Sequence, residues 1–230
     1  MSLTDEQELE IYHNINNNTI FISPEIDTFI EVVEKDLLSS FSNIEEKAYK
    51  IAEKYRMKNY YQDEITEDNF EDAIELNNEI IENSIDIEYT YSYNIYPKMK
   101  QDFLNMVAVW LYHIFEKDCK NIFSYTVNNS KKYLEITKKK NKPLLESFTR
   151  KMGLVMNDTS DWNKINTELR LISNAVKHRD IKPYLKRKKP NLICNEKIQI
   201  TFEEIIEYAN AMKSLWAEYF DKSVNIINDN

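Results

Sequence analysis

Apolar residues recur every three or four positions along most of the chain, the spacing of a buried helical face. Phe29, Val32, Val33, Leu37 and Leu38 set the first such stripe after the acidic start Ser23–Pro24–Glu25, and Ala48, Ile51, Ala52 and Tyr55 continue it beyond a break at 39–43. Phe70, Ala73, Ile74, Asn77, Ile80 and Ile81 form a second stripe within a segment whose remaining positions are largely acidic. Phe103, Met106, Val107, Trp110, Leu111, Ile114 and Phe115 mark a helix predicted over 98–139, with a break at 128–129. This helix is the expected spine of a bundle. Ile165, Leu169, Ile172, Ala175 and Val176 give another, capped by Asp158, Thr159 or Ser160.

Shorter signals fill the intervals. A short helix over 141–154 ends at Gly153, a natural C-cap. IEYTYSYNIY at 87–96 alternates as a strand or an extended linker would, and Pro97 ends it. LICNEKIQIT at 192–201 suits a short hairpin, and Thr201 with Glu204 has the spacing of a capping box for a last helix through 219. The expected fold is mainly α, a helical bundle over 97–230 with an additional acidic helical region over 1–96 and a short β-hairpin.

Composition narrows the classes. The 230 residues include one glycine, too few for the turns of a β-barrel or for a glycine cradle under phosphates. Two cysteines, Cys119 and Cys194, make no disulfide framework and suit a reducing compartment. The acidic start MSLTDEQELEIYHN does not read as a signal peptide, and the apolar run 103–115 is too short to span a membrane. A cytoplasmic protein is the expectation. The net charge of -9 hides a split: 1–115 carry 8 basic and 24 acidic residues, and 116–230 carry 22 and 15. The chain as a whole is expected to be repelled by nucleic acid, yet its second half need not be. Docking of the acidic half on the basic half, within a chain or across a dimer, also fits this split.

Candidate chemistry concentrates in one helix. Arg170, Asn174 and His178 stand at i, i+4 and i+8, a single row of side chains. Arginine grips phosphate through its planar fork, histidine exchanges a proton near neutral pH, and asparagine orients either partner. Such a row suits a phosphodiester and requires no metal or cofactor; a plain solvated helix face has the same spacing. KHRDIKPYLKRKK at 177–189 follows, with Lys177, Arg179, Lys182, Lys186, Arg187, Lys188 and Lys189 as candidate contacts for an RNA backbone and Tyr184 for a base. KKYLEITKKKNK at 131–142 is a second basic cluster. His113, among apolar neighbours, reads as a packed core histidine, and His13 has no visible partner.

TELRLISNAVKHRD at 167–180 resembles the signature helix of the HEPN superfamily, which carries Arg-Asn-x-x-x-His near a helix end, often after Glu-Leu-Arg. Glu168, Leu169, Arg170, Asn174 and His178 match, but Ser173 stands where the motif arginine is expected. The resemblance extends architecturally over 97–222 and leaves 1–96 unaddressed. It implies a four- to five-helix domain that dimerises with two motif helices across a cleft. It also implies either a metal-independent endoribonuclease of toxin–antitoxin or anti-phage systems or a non-catalytic binding module. RNA, an antitoxin-like protein and a second copy of the chain are the partners implied. Arg170, which shares a face with Asn174 and His178, is the candidate substitute for the missing arginine.

Overall fold

The computed structural model describes residues 22–60, 66–128, 146, 149, 150, 152–157 and 159–228. It is mainly helical, as expected, with one two-stranded ribbon among the described residues. No described helix is long and apolar enough to cross a membrane. In chain order the elements are α1 (Ile22–Val32), α2 (Ile44–Asn59), α3 (Phe70–Thr90), α4 (Tyr96–Asn128), the single turn α5 (Asp161–Asn163), α6 (Arg170–His178) and α7 (Pro183–Lys188). The strands β1 (Ile193–Cys194) and β2 (Lys197–Ile198) and the last helix α8 (Phe202–Asn228) complete them. Packing divides the chain into residues 32–103 and a second unit made from the residues on either side.

In the 32–103 unit, α1 continues as a π-helical stretch, Val33–Leu38, and a 3-10 turn, Ser39–Phe41. The break expected at 39–43 follows, with Asn43 in the left-handed region at φ 54° before α2 begins. Helices α2 and α3 pack along a seam of small side chains. Ala48 and Ala52 of α2 and Ala73, Ile80 and Ser84 of α3 are buried, and Arg56 donates to the Ser84 hydroxyl at 3.2 Å. This seam is narrower than the predicted stripe, because small residues let two backbones approach and leave little room for larger neighbours. Phe70, Ile74 and Ile81 therefore stay exposed beside it. The aromatic run 87–96 is helical rather than extended. It passes from α3 through a π-helical turn, Tyr91–Ile95, into α4, and Pro97, which has no N–H to donate, follows directly on that π-helical turn.

The other unit is built on α4 from Leu104 onward and on α8. Leu104, Val107, Ala108, Leu111, Phe115, Cys119 and Ile122 of α4 are buried, as are Ile205, Met212, Leu215, Trp216 and Tyr219 of α8. Phe115 meets Trp216 edge-on at 6.1 Å, and Phe29 of α1 stacks on Trp110 at 3.7 Å. The buried face of α4 is turned slightly from the predicted one: Met106 is exposed, and so is His113, whose Nδ1 lies 4.0 Å from the Glu116 carboxylate. His113 is thus a surface residue. Its apolar neighbours in sequence point to the other side of the helix.

Several local signals took the predicted form. Gly153 has φ 73°, and the bonds Leu154 N–H to Thr149 C=O and Gly153 N–H to Arg150 C=O make the Schellman pattern. Thr201 and Glu204 exchange side-chain and backbone bonds at 3.2 and 3.0 Å, which completes the capping box of α8. The hairpin pairs Ile193 with Ile198 and Cys194 with Lys197. The Asn105 side chain of α4 bonds the Ile198 carbonyl at 3.0 Å and fastens the hairpin to the bundle.

Two predictions follow from these elements. Asn195 and Glu196 both take positive φ, 48° and 59°, at the hairpin turn. A side chain there costs roughly 1 kcal/mol that glycine avoids, so Glu196→Gly is expected to raise the unfolding midpoint in a denaturant titration. In α4, burial pushes the Asp118 carboxyl up to about 6, with Lys117 opposing and Glu25 reinforcing the shift. Its unfolded counterpart titrates near 4. The folded state therefore holds the extra proton, and stability falls as pH rises from about 4 to 6. Asp118→Asn should flatten that slope and leave the variant more stable than the parent at neutral pH, read from melts at both ends of the window.

Candidate phosphate-binding face on α6

The helix that carries the Arg-Asn-His row starts at Ser160, whose side chain accepts from the Asn163 N–H at 3.2 Å. One α-helical turn, α5, leads into a π-helical stretch, Lys164–Leu169, and then into α6. The wider π turn shifts the register of everything after it, and such bulges often lie beside functional groups. Because the row begins at Arg170, its own spacing is regular α.

Burial then sorts the side chains. Ile165, Leu169, Ile172, Ser173 and Ala175 face the interior, and the π-helical stretch lies against α8 while α6 lies against β2. On the other side Arg170 and His178 are exposed and Asn174 is half-buried. One row of three polar side chains thus faces solvent over about 12 Å of helix axis. Among the described residues, none of the three has a hydrogen bond or an ion pair. The Arg170 charge is felt on the neighbouring α4: burial and Glu116 push the Tyr112 hydroxyl up to about 12, and Arg170 pulls it the other way.

Ser173, where the resemblance expects an arginine, has no exposed surface, and its hydroxyl has no partner among the described residues. Serine is therefore what the core admits at this position. The helix ends at His178, because Arg179 turns into the left-handed region at φ 57° while its N–H still bonds Ala175. Arg179 consequently leaves the helical wheel, and Arg170 remains the arginine aligned with Asn174 and His178.

Helix α7 of the basic segment is held near both of its ends. The Asn163 side chain donates to the Tyr184 hydroxyl at 3.1 Å, and Lys189 pairs with the Glu168 carboxylate at 3.4 Å. Tyr208 of α8 donates to the same carboxylate at 3.4 Å, and the Lys189 ammonium sits 5.9 Å from its ring centroid. Burial and the Glu168 charge push the Tyr208 hydroxyl well above its ordinary range. Glu168 is itself buried, so Lys189 supplies the countercharge that burial demands. Tyr184 and Lys189, two candidate RNA contacts, thus anchor α7 in this structure. Lys182 pairs with Asp180, and Lys177, Arg179, Lys186, Arg187 and Lys188 are exposed. The anchoring residues Asn163, Glu168 and Tyr208 gave no sign in sequence beyond the Glu-Leu-Arg stretch. The second basic cluster, 131–142, lies outside the described residues. Among those described, no three His, Cys, Asp or Glu side chains are grouped to hold a metal ion.

No protein-family model matches the sequence, and neither a curated protein nor a solved structure matches the chain.

The burial of Ser173 makes a direct prediction. Ser173→Arg forces a charge into a full core and should destabilise the protein by about 3 kcal/mol or more. Ser173→Ala removes an unpaired buried hydroxyl and should be neutral or stabilising. Thermal melts of the two variants distinguish this core position from an exposed one, where both changes would matter little.

Proposed function

We propose that the chain is a metal-independent, HEPN-like endoribonuclease, an RNA-directed effector of a prokaryotic toxin or anti-phage system that works as a homodimer. The observation that carries this reading is the solvent-facing Arg170–Asn174–His178 row, without hydrogen bond or ion pair among the described residues, beside an anchored basic helix. An arginine committed to an internal ion pair, or a histidine packed behind apolar side chains, would have spoken against it.

The chemistry is an internal transesterification. A ribose 2′-hydroxyl attacks the adjacent phosphorus, the bond to the 5′ oxygen breaks, and a 2′,3′-cyclic phosphate forms. One imidazole takes the 2′ proton and another donates to the leaving oxygen. One row contains a single histidine, so the second comes from the symmetry-related row of a dimer. Arg170 neutralises charge gathering on the phosphoryl oxygens, and Asn174 orients phosphate or imidazole. Lys186, Arg187 and Lys188 draw in the RNA backbone without reading its sequence.

A second reading, a non-catalytic module that binds protein or nucleic acid on the same face, is favoured by one observation. The motif arginine is replaced by a buried serine, leaving Arg170 as the aligned arginine.

Purified protein incubated with a mixed RNA pool separates the two readings. The enzyme reading predicts that His178→Ala and Arg170→Ala each lower cleavage by about a hundredfold or more while the helical circular dichroism is retained. Arg170→Lys should recover little, because lysine lacks the two-pronged geometry. RNA that is retained by the wild type, lost on neutralising Lys186, Arg187 and Lys188, and never cut would establish the binding module instead.

A further inference from the structure

The 32–103 unit takes no part in the reading above, and its most exposed helix has an unusual surface. Helix α3 carries seven acidic residues and neither lysine nor arginine. Beside its buried seam, Phe70, Ile74, Ile81 and Ile85 are 54, 46, 41 and 57% exposed. At i, i+4, i+11 and i+15 they fall within one narrow sector of the helix and run about 22 Å along its axis. Glu71, Glu75, Asn78 and Glu82 border the sector on the side away from α2. With Ile74 and Glu79 these four line a shallow depression of about 540 Å³. Single exposed apolar residues are ordinary, but an aligned set edged by one sign of charge is the form of a recognition surface.

The geometry points to α3 as the docking site for a basic amphipathic helix of a separate protein. The apolar strip has the length of about four helical turns, which a helix of some 15 residues covers. Leucine-like side chains on one face of that helix would cover Phe70, Ile74, Ile81 and Ile85, and lysines or arginines along its flank would meet Glu71, Glu75 and Glu82. Charge sets the choice of partner. A helix with seven carboxylates and no base repels nucleic acid and anionic membranes, and it also repels the same helix of a second copy. Only a cationic partner gains both contacts at once.

The test uses the full chain and a fluorescent helical peptide of about 16 residues with leucines at i, i+4, i+7 and i+11 and lysines on both flanks. Anisotropy titrations compare it with a scrambled peptide of the same composition. The expected result is saturable binding that weakens as salt rises, with the scrambled peptide at least about tenfold weaker. Charge reversal in Glu71→Lys/Glu75→Lys/Glu82→Lys and polar replacement in Ile74→Ser/Ile81→Ser/Ile85→Ser should each lower affinity by about tenfold or more. All six positions are exposed, so both variants should keep their fold, which circular dichroism checks. His178→Ala should bind the peptide as the parent does, which keeps this outcome separate from that of RNA cleavage. Equal binding of the two peptides, no binding, or affinity unchanged in both α3 variants overturns the proposal. So does sedimentation showing that the α3 variants abolish self-association of the chain, because the face would then belong to a second copy.

Discussion

The candidate site depends on one constraint: the 161–178 helix commits a single side to the core. Ile165, Leu169, Ile172 and Ala175 bury there, and each such side chain contributes roughly 1.5 to 3 kcal/mol when removed from water. Once that side is fixed, helical periodicity leaves Arg170, Asn174 and His178 no choice but the other. The same constraint determines what position 173 can be. A long cation there would sit unpaired among apolar side chains, so the core accepts serine and the aligned charge comes from Arg170.

A second constraint holds the basic segment in place. Seven lysines and arginines within 177–189 would repel one another along a loose loop. Pairing one of them with Glu168 beside the Tyr208 ring, and bonding Tyr184 to Asn163, turns the segment into an anchored helix. Two of the anchors, Asn163 and Glu168, come from the same helix as the row, so the cationic surface and the row share one support. This arrangement gives the proposed electrostatic capture a fixed position relative to the proposed chemistry.

Much of the fold could be read from the sequence because its signals are local. The Gly153 cap, the Thr201–Glu204 box, the Ser160 cap and the break before Asn43 depend on a few neighbouring residues and took the expected form. The misreadings concern packing between elements. The tyrosines of 87–96 alternate like a strand, yet both neighbouring segments are helical and the π turn carries the helix through. The apolar stripe on α3 was broader than the alanine-lined seam that α2 provides, and Met106 and His113 fell outside the buried arc of α4. For the site, the spacing of Arg170, Asn174 and His178 was legible, but the roles of Tyr184 and Lys189 were not. Their partners lie about twenty residues away, and no local pattern records that pairing.

The chemistry of the cut ends tests the central claim most directly. RNA incubated with the protein in excess chelator should yield 2′,3′-cyclic phosphate ends, detected by mass spectrometry of the fragments, and none with His178→Ala. Fragments with 5′-phosphate ends, or cyclic ends formed equally by His178→Ala, would contradict the assignment of the α6 row to metal-independent transesterification.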